Sequence, residues 1–184
     1  MCLWRTRGDC IAGDWAHAVD CRIGHNGDAA HTGPSAWNDA DMMLVGIPRL
    51  TTEKYRTHYM VRTGAASPII PGNDPQMVTP AIKRIVANRQ VIAVDQHALG
   101  IRGRRMVRPG EAEIWTSRFA NGSTAVAVFS RGDAPAAIIV RWQNAGVARP
   151  SRVRDLWHGL DAPVAGHYSA EMPSHGAVLL RAYR

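Results

Sequence analysis

The stretch AWNDADMMLVG, residues 36–46, decides how the first half of the chain is interpreted. It places a Trp, an Asn and two aspartates directly before an apolar run. Asp and Asn are depleted in the middle of strands, where β-branched and aromatic residues are favoured. Two interpretations stay open at this point. The stretch is a surface turn with two solvated aspartates, or it is the end of a strand whose acidic side chains face a ligand.

Helical patterns separate the strand-like segments of the first hundred residues. The pair Thr51–Thr52 offers N-caps for a helix over 53–63, because a hydroxyl there accepts a backbone N–H. Thr79–Pro80 is a good start for a second helix, since proline suits the first helical position. A short buried strand is predicted between them, over 65–70. The order strand, helix, strand, helix favours parallel β/α units.

Acidic side chains stand where these strand-like segments end. Asp9 follows the first segment, Asp41 the second and Asn73–Asp74 the third. Side chains at the carboxyl ends of successive parallel strands form the floor of the active site in a β/α barrel. Arg5 lies four residues before Asp9, a spacing that alone indicates only an ion pair in a surface loop. The pair becomes a candidate for a functional site because other acidic groups stand at the ends of neighbouring strand-like segments.

The pattern changes to short strands from about residue 99. The runs 113–119 and 124–130 flank Asn121–Gly122, and Asn-Gly in that position predicts a hairpin because both residues tolerate positive φ. Further strands are predicted over 136–142, 151–157 and 176–182. This half is predicted to be a small antiparallel β-sandwich, so the fold class is α/β plus all-β. We expect one domain over 1–101 and a second over 102–184.

Composition excludes several classes of protein. A chain of 184 residues with 46% apolar and 20% charged residues is not disordered and is long enough to bury a core without disulfides. The net charge of +7 comes from scattered arginines, since Lys54 and Lys83 are the only lysines. The only tight basic cluster is IRGRRMVR, 101–108, and no aromatic residues are interleaved with it. We therefore expect no nucleic-acid partner.

The cysteines do not indicate a disulfide framework or a specific metal site. Cys2, Cys10 and Cys21 are odd in number and irregularly spaced. Cys10 and Cys21 could be combined with His25 and His31 as zinc ligands. That set lacks the close CxxC or HxxxH pairing that makes such a site specific. We expect no metal.

No segment of the sequence indicates a membrane or an export signal. No apolar run reaches the length of a membrane span, so we expect no membrane partner. The first fifteen residues, MCLWRTRGDCIAGDW, contain no apolar core of a signal peptide. Oligomeric state and cellular compartment stay open.

Four stretches in chain order resemble glycoside hydrolase family 27, the α-galactosidases or melibiases and their close relatives. They are WRTRGD (4–9), AWNDADMM (36–43), SPIIPGND (67–74) and VIAVDQHALGIRGRRM (91–106). The final stretch, 153–183, is similar to the closing strands of that family's C-terminal β-sandwich. The resemblance implies the C-terminal part of a (β/α)8 barrel, about strands 6 to 8, followed by the sandwich. It also implies a truncated fragment of a glycosidase that is often secreted or periplasmic.

The resemblance assigns roles to matching residues. Asp9 corresponds to the general acid/base, and Arg5 to the arginine that contacts the sugar beside it. Asp41 corresponds to the carboxylate that binds sugar hydroxyls, and Met42 to a neighbour that lines the pocket. The implied activity is hydrolysis of terminal α-linked galactose with retention, which needs two carboxyl groups about 5–5.5 Å apart and no cofactor. The implied partner is an α-galactoside or oligosaccharide substrate.

The chain departs from the family pattern in ways that bear on activity. The family's nucleophile is an upstream Asp in a Lys-x-Asp setting, and neither Lys54 nor Lys83 is followed by Asp two residues later. Ala40 replaces a proline, Ser35–Ala36 replaces a glycine pair, and the helix is more polar than usual at 60–63. Asn38 and Asp39 are interpreted as supporting residues. We hypothesise that the chain alone is inactive.

Two alternatives stay open. The second half could be a non-catalytic carbohydrate-binding or structural β-sandwich, and exposure of Trp115, Trp142 or Trp157 would favour sugar binding. Within the family, an α-N-acetylgalactosaminidase or a β-L-arabinopyranosidase is the alternative to an α-galactosidase. The sequence does not distinguish the sugar or its aglycone.

Overall fold

A computed structural model describes residues 2–5, 8–10, 14–23, 33–107 and 110–184. The first part of the chain contains β1 (Cys2–Arg5), α1 (Trp15–Ile23), β2 (Ala36–Asp39), α2 (Thr52–Gly64), a 3-10 turn at Pro75–Met77, α3 (Pro80–Val86) and α4 (Arg89–Asp95). None of the described helices is both long and apolar enough to cross a membrane.

The first part carries a small parallel sheet. β1 pairs with β2 in parallel, with Leu3 opposite Trp37. A third parallel segment, the one that contains Pro71, contacts the chain beyond β2 through a parallel bridge between Met43 and Pro71. The strand predicted over 65–70 is wrong. Pro68 and Pro71 lack the backbone N–H that a central strand donates to its neighbour, so the segment makes one bridge and no ladder.

The helices of the first part begin at the polar residues that the sequence predicts. The Thr51 hydroxyl accepts the N–H of Lys54 at the start of α2. The Thr79 hydroxyl accepts the N–H of Ile82 at the start of α3. Each cap satisfies a donor that has no partner inside the helix. Both predicted helix starts are confirmed.

The described residues of the second part form eight strands and a 3-10 turn at Trp142–Ala145. The strands are β3 (Arg104–Val107), β4 (Ala112–Arg118), β5 (Thr124–Ser130), β6 (Ala136–Arg141), β7 (Arg152–Asp155), β8 (Leu160–Ala162), β9 (His167–Met172) and β10 (Ala177–Tyr183). An antiparallel six-stranded sheet has the order β3-β4-β5-β10-β7-β8, and β6 and β9 form a separate antiparallel pair. The predicted hairpin between β4 and β5 is confirmed, and Gly122 adopts a φ of 80° in its turn.

The six-stranded sheet is packed on both faces. Val126 and Val128 of β5 belong to a cluster with Ile138 of β6, which is the sandwich interior. Phe129 lies on the other face of β5, in a cluster with Tyr59 of α2. Strand side chains alternate between faces, so β5 contributes to both clusters along one length. The helices and the sandwich therefore share a continuous hydrophobic core.

The chain enters the sandwich at a close backbone contact. The N–H of Gly103 donates to the carbonyl of Gly64, the last residue of α2, at 2.6 Å. A Cβ at position 103 would lie 2.7 Å from that carbonyl oxygen. Only glycine fits this approach. The contact joins the end of α2 to the start of β3, close to the predicted domain boundary.

Candidate active site

Four polar residues of the first part meet at the carboxyl ends of β1 and β2. Arg5 is the last residue of β1, and Asp9 follows it in the chain. Asp39 is the last residue of β2, and Asp41 follows two positions later. The two strands are parallel and Arg5 is aligned with Asp39, so both segments end at the same edge of the sheet. This is the edge at which β/α folds place ligands.

Arg5 links the two carboxylates that the sequence singles out. Its Nη2 lies 2.7 Å from Oδ1 of Asp9 and 3.2 Å from Oδ1 of Asp41. Asp9 is 94% exposed and Asp41 only 12% exposed. One guanidinium nitrogen is therefore shared between a solvent-facing carboxylate and a mostly buried one.

The Asp41 carboxylate is fixed by backbone donors. Its Oδ2 accepts the N–H of Cys10 at 2.7 Å, and its Oδ1 accepts the N–H of Met42 at 2.8 Å. The N–H of Asp41 itself donates to Oδ1 of Asp39 at 2.9 Å. Asp41 also has a φ of 69°, which is unusual for a residue other than glycine. Several hydrogen bonds thus hold one unusual backbone conformation.

The electrostatics of the cluster keep Arg5 charged. Partial burial lowers the pKa of Arg5, but the attraction of Asp41, the hydrogen bond to Asp9 and the field of Asp39 outweigh it and raise the pKa overall. A permanent cation between two carboxylates can donate to two hydroxyl oxygens of a sugar ring while the carboxylates accept from others.

The other predicted site residues lie around this cluster in different roles. Met42 is partly exposed, and its side chain covers Gly72, next to the third parallel segment. Asn38 is fully buried, so it supports the strand rather than facing a ligand. Asp74 accepts the N–H of Gln76 and caps the 3-10 turn. Met42 is therefore next to the cluster, and Asp74 serves local structure.

A cavity of about 470 Å³ lies beside the parallel strands, and sequence reasoning missed it. Leu3, Trp37, Ile70 and Asp95 are among its lining residues. Strand side chains two apart share a face, so Leu3 lies on the same face of β1 as Arg5. Within the described chain, Oδ1 of Asp95 is buried without a hydrogen-bond partner.

Burial raises the pKa of Asp95 to about 7, and the attraction of Arg62 opposes the shift. Asp95 ends α4, directly after the apolar run VIAV. An Asp that closes an apolar helical run is the signal that could have marked it. The carboxyl is protonated in a large part of the molecules near neutral pH, because its charged form is poorly solvated.

The described residues contain no group of three His, Cys, Asp or Glu side chains placed to hold a metal ion. Of the four zinc ligands considered from the sequence, only Cys10 has a described side chain, and it is buried. The side chain of Cys21, and residues His25 and His31, lie outside the described part of the chain.

The three sandwich tryptophans do not form an exposed platform. Trp142 is buried, and its Nε1 donates to the carbonyl of Ala165 at 2.7 Å. Trp157 is half-buried, with its ring centroid 6.2 Å from that of Tyr59. Trp115 is half-buried and takes part in the core beneath α2. Trp115 and Trp157 pack between the helices and the sheet, and Trp142 packs in the sandwich interior.

Two family models match the chain. One is described as alpha galactosidase A and matches residues 2–97. The other is described as the alpha galactosidase C-terminal beta sandwich domain and matches residues 109–182. Together they extend over nearly the whole chain in the order that the fold shows.

Known proteins resemble the chain in sequence and in structure. The alpha-galactosidase of Cyamopsis tetragonoloba is 33% identical over 175 residues, which cover 94% of this chain and 42% of that protein. The crystal structure of alpha-galactosidase I from Mortierella vinacea superposes with a TM-score of 0.85 at 25% identity, covering 98% of this chain and 52% of that one. A β-L-arabinopyranosidase of Geobacillus stearothermophilus shares the fold, with a TM-score of 0.88 at 23% identity and coverage of 99% and 45%. The chain thus spans about half the length of the proteins it matches.

Proposed function

The chain belongs to glycoside hydrolase family 27, the α-galactosidase family, and on that premise we propose that its site binds the terminal galactose of an α-galactoside. In this proposal Arg5 and Asp41 hold the sugar hydroxyls and Met42 lines the pocket. Asp9 is the general acid/base of a retaining hydrolysis. The observation that carries the proposal is the single Arg5 nitrogen between Asp9 and Asp41 at the ends of two parallel strands.

The geometry fits a division of labour between the two carboxylates. Asp41 has both oxygens hydrogen-bonded by backbone N–H groups and Oδ1 paired with Arg5, which holds the carboxylate in place and lowers its reactivity toward carbon. Such an anchored carboxylate suits hydroxyl binding. Asp9 is exposed and contacts Arg5 through one oxygen. It has room to give a proton to a leaving oxygen and later to accept one from water.

We propose further that this chain does not turn over substrate by itself. Retaining hydrolysis needs a carboxylate that attacks the anomeric carbon from the face opposite the acid. The sequence contains no Lys-x-Asp stretch of the kind that carries this nucleophile in the family. Another polypeptide segment, of the kind that makes up the unmatched half of the relatives, would have to supply it.

Substrate hydrolysis and sugar binding by the purified chain test the two halves of the proposal separately. An aryl α-galactoside should give no saturable turnover, whereas galactose should shift the amide resonances of Met42 and Cys10 in an NMR titration. Asp41→Asn should weaken this binding about tenfold or more, because a hydrogen bond to a charged group is worth roughly 1.5–3 kcal/mol. Glu171→Gln, on the exposed side of β9, serves as the charge-matched control.

Each half has its own contradicting result. Saturable turnover by the chain alone would show that a nucleophile is present. Equal binding of galactose by the wild type and by Asp41→Asn would remove Asp41 from the site. Comparing galactose with N-acetylgalactosamine and L-arabinose decides between the galactosidase proposal and its alternatives within the family.

We also propose that the matched strands are barrel strands 6 to 8 and that the domains are 1–101 and 102–184. The alternative function, a separate sugar-binding sandwich, is disfavoured by the positions of its tryptophans. A structural sandwich fits better, because one face of the six-stranded sheet packs on α2 through the cluster that contains Tyr59 and Phe129.

A further inference from the structure

Arg62 is a fully buried charge near the candidate site, and Asp95 is only one of the groups that it attracts. It lies in the last turn of α2, with a side chain that is 0% exposed. Burying a guanidinium is unfavourable unless its donors and its charge are matched by the surroundings. The surroundings of Arg62 therefore indicate what it holds in place.

Three contacts of the guanidinium reach two other segments. Nε donates to the carbonyl of Pro68, which precedes the third parallel segment. Nη1 donates to the carbonyl of Ala40 at 3.4 Å, and Nη2 lies 3.8 Å from Oδ1 of Asp39. The planar fork of Arg supplies donors in several fixed directions, which the single ammonium of Lys does not.

These contacts end at the residues directly before Asp41. Oδ1 of Asp39, which Arg62 attracts, is also the atom that accepts the N–H of Asp41. The carbonyl of Ala40 belongs to the peptide unit that contains the same N–H. Asp41 keeps a left-handed φ of 69°, a conformation that persists only where surrounding contacts over-determine it. Arg62 thus contacts this turn from α2, whereas Arg5 contacts it from the end of β1.

We propose that Arg62 is a positioning residue for the Asp41 carboxylate. It holds Asp39 and Ala40 in place and thereby fixes the backbone turn at Asp41. That turn orients the Asp41 carboxylate toward Arg5 and toward a bound sugar. The orientation of Asp41 toward a bound sugar rests on its proposed sugar-binding role. The fixing of Asp39, Ala40 and the turn concerns backbone geometry alone. Sequence reasoning registered only that the helix is unusually polar at 60–63.

Solvent exchange of backbone amides, measured by NMR on the sugar-free chain, tests the positioning role. The reporters are Asp41, whose N–H donates to Asp39, and Cys10, whose N–H donates to Asp41. Arg62→Met should speed the exchange of both about tenfold, because the turn opens locally. Val126 and Leu180, in the sandwich interior, should keep their rates.

Arg56→Met is the matched control, since Arg56 lies on the same helix and pairs with Glu53 on the surface. It should leave the Asp41 and Cys10 rates unchanged. Arg62→Lys keeps the charge and should give a smaller acceleration than Arg62→Met. If Arg62→Met does not fold, Arg62→Lys alone decides, and unchanged exchange at Asp41 in that folded variant overturns the proposal.

The route through Asp39 has its own test. Asp39→Asn should accelerate Asp41 exchange, and the double variant with Arg62→Met should exceed the larger single effect by little, because the two act on one contact. Fully additive effects would overturn this route. Equal acceleration at Asp41, Val126 and Leu180 would show a general loosening and overturn the positioning role. Failure of the wild type to bind galactose would refute the proposed function but leave this exchange result intact.

Discussion

The sandwich and the site-bearing segments are held by different kinds of interaction. Every residue of β5 is buried, and the sheet around it has packed side chains on both faces. β1 and β2 have four residues each, and a parallel bridge joins Met43, beyond β2, to Pro71. At their ends Asp9 is almost fully exposed. Apolar packing holds the sandwich together, whereas hydrogen bonds and ion pairs hold the residues of the site.

This difference shows where stability and function reside in the chain. Apolar burial contributes roughly 25 cal/mol per Å² of area, so a central strand packed on both faces dominates the total. A hydrogen bond adds about 1 kcal/mol net, but it fixes direction. The sandwich side is therefore expected to set the stability of both regions, while Arg5, Asp41 and Arg62 set geometry.

The largest effect should come from the shared core. Phe129→Ala removes a 2% exposed ring between the sheet and α2 and should lower the free energy of unfolding by about 3–5 kcal/mol. Urea denaturation followed by circular dichroism measures it. Ile139→Ala, at a site 59% exposed on β6, should change stability by less than about 0.5 kcal/mol.

A single transition in Phe129→Ala would show that helices and sandwich unfold together. Two transitions, with only the helical one displaced, would show that the helices and the sandwich unfold separately. They would mean that the sandwich does not depend on the core that it shares with α2.

The next largest effect on stability should come from Asp95, which lines the cavity. Burial raises the pKa of Asp95 from an ordinary 3.8 to about 7. The folded chain therefore binds this proton more tightly than the unfolded chain, and ionisation removes stability as the pH rises through that interval. Asp95→Asn should add about 1–3 kcal/mol near pH 8 and almost nothing near pH 4.

Thermal unfolding of the wild type and Asp95→Asn at both pH values measures the difference. Glu171→Gln, which removes an exposed charge from β9, is the control for net charge. A gain that is equal at both pH values would contradict the assignment, because it would not follow ionisation.

A smaller effect should come from the polar contact that ties α4 to the sandwich. Asn88 accepts the N–H groups of Gln90 and Val91, and its Nδ2 donates to the carbonyl of Leu156 at 3.0 Å. Asn88→Ala should cost about 1–2 kcal/mol in urea denaturation. Thr79→Ala removes only a helix cap and should cost less. Equal losses would mean that the Leu156 contact adds nothing.

The smallest effect should come from His175, between α2 and the sandwich. Burial and the charge of Lys54 lower the pKa of His175 from 6.5, although Asp133 opposes them. The unfolded chain therefore takes up this proton first, and stability falls as the pH decreases below 6.5. Asn tolerates the left-handed φ of 54° at this position, so His175→Asn should flatten the pH dependence of Tm below that value. Parallel curves for wild type and variant would contradict the prediction.

Local signals made much of the fold predictable. Asn121–Gly122 predicted the hairpin, and Thr51 and Thr79 predicted helix starts. Each of these signals depends only on backbone groups within a few residues in the sequence. β3 was missed because its basic sequence looked like surface charge. The strand predicted over 65–70 failed because apolar composition outweighed the missing donors of Pro68 and Pro71.

The candidate site was predictable only where family motifs or spacing marked it. Arg5, Asp9 and Asp41 do come together at one edge, as expected from parallel strands. Arg62 and Asp95 were missed because their importance comes from burial, and burial of a charged residue depends on segments distant in sequence. Nothing local to Arg62 distinguishes it from the partly exposed Arg56 one turn and a half earlier.

The contact between Gly64 and Gly103 has a mechanical consequence. A domain boundary is commonly a flexible linker, which lets two domains move and unfold independently. Here the chain is bound to the end of a helix just before it enters the next sheet, with no room for a side chain between them. The joint therefore adds little length under a stretching force, and because the helices and the sandwich also share a core we expect them to unfold together.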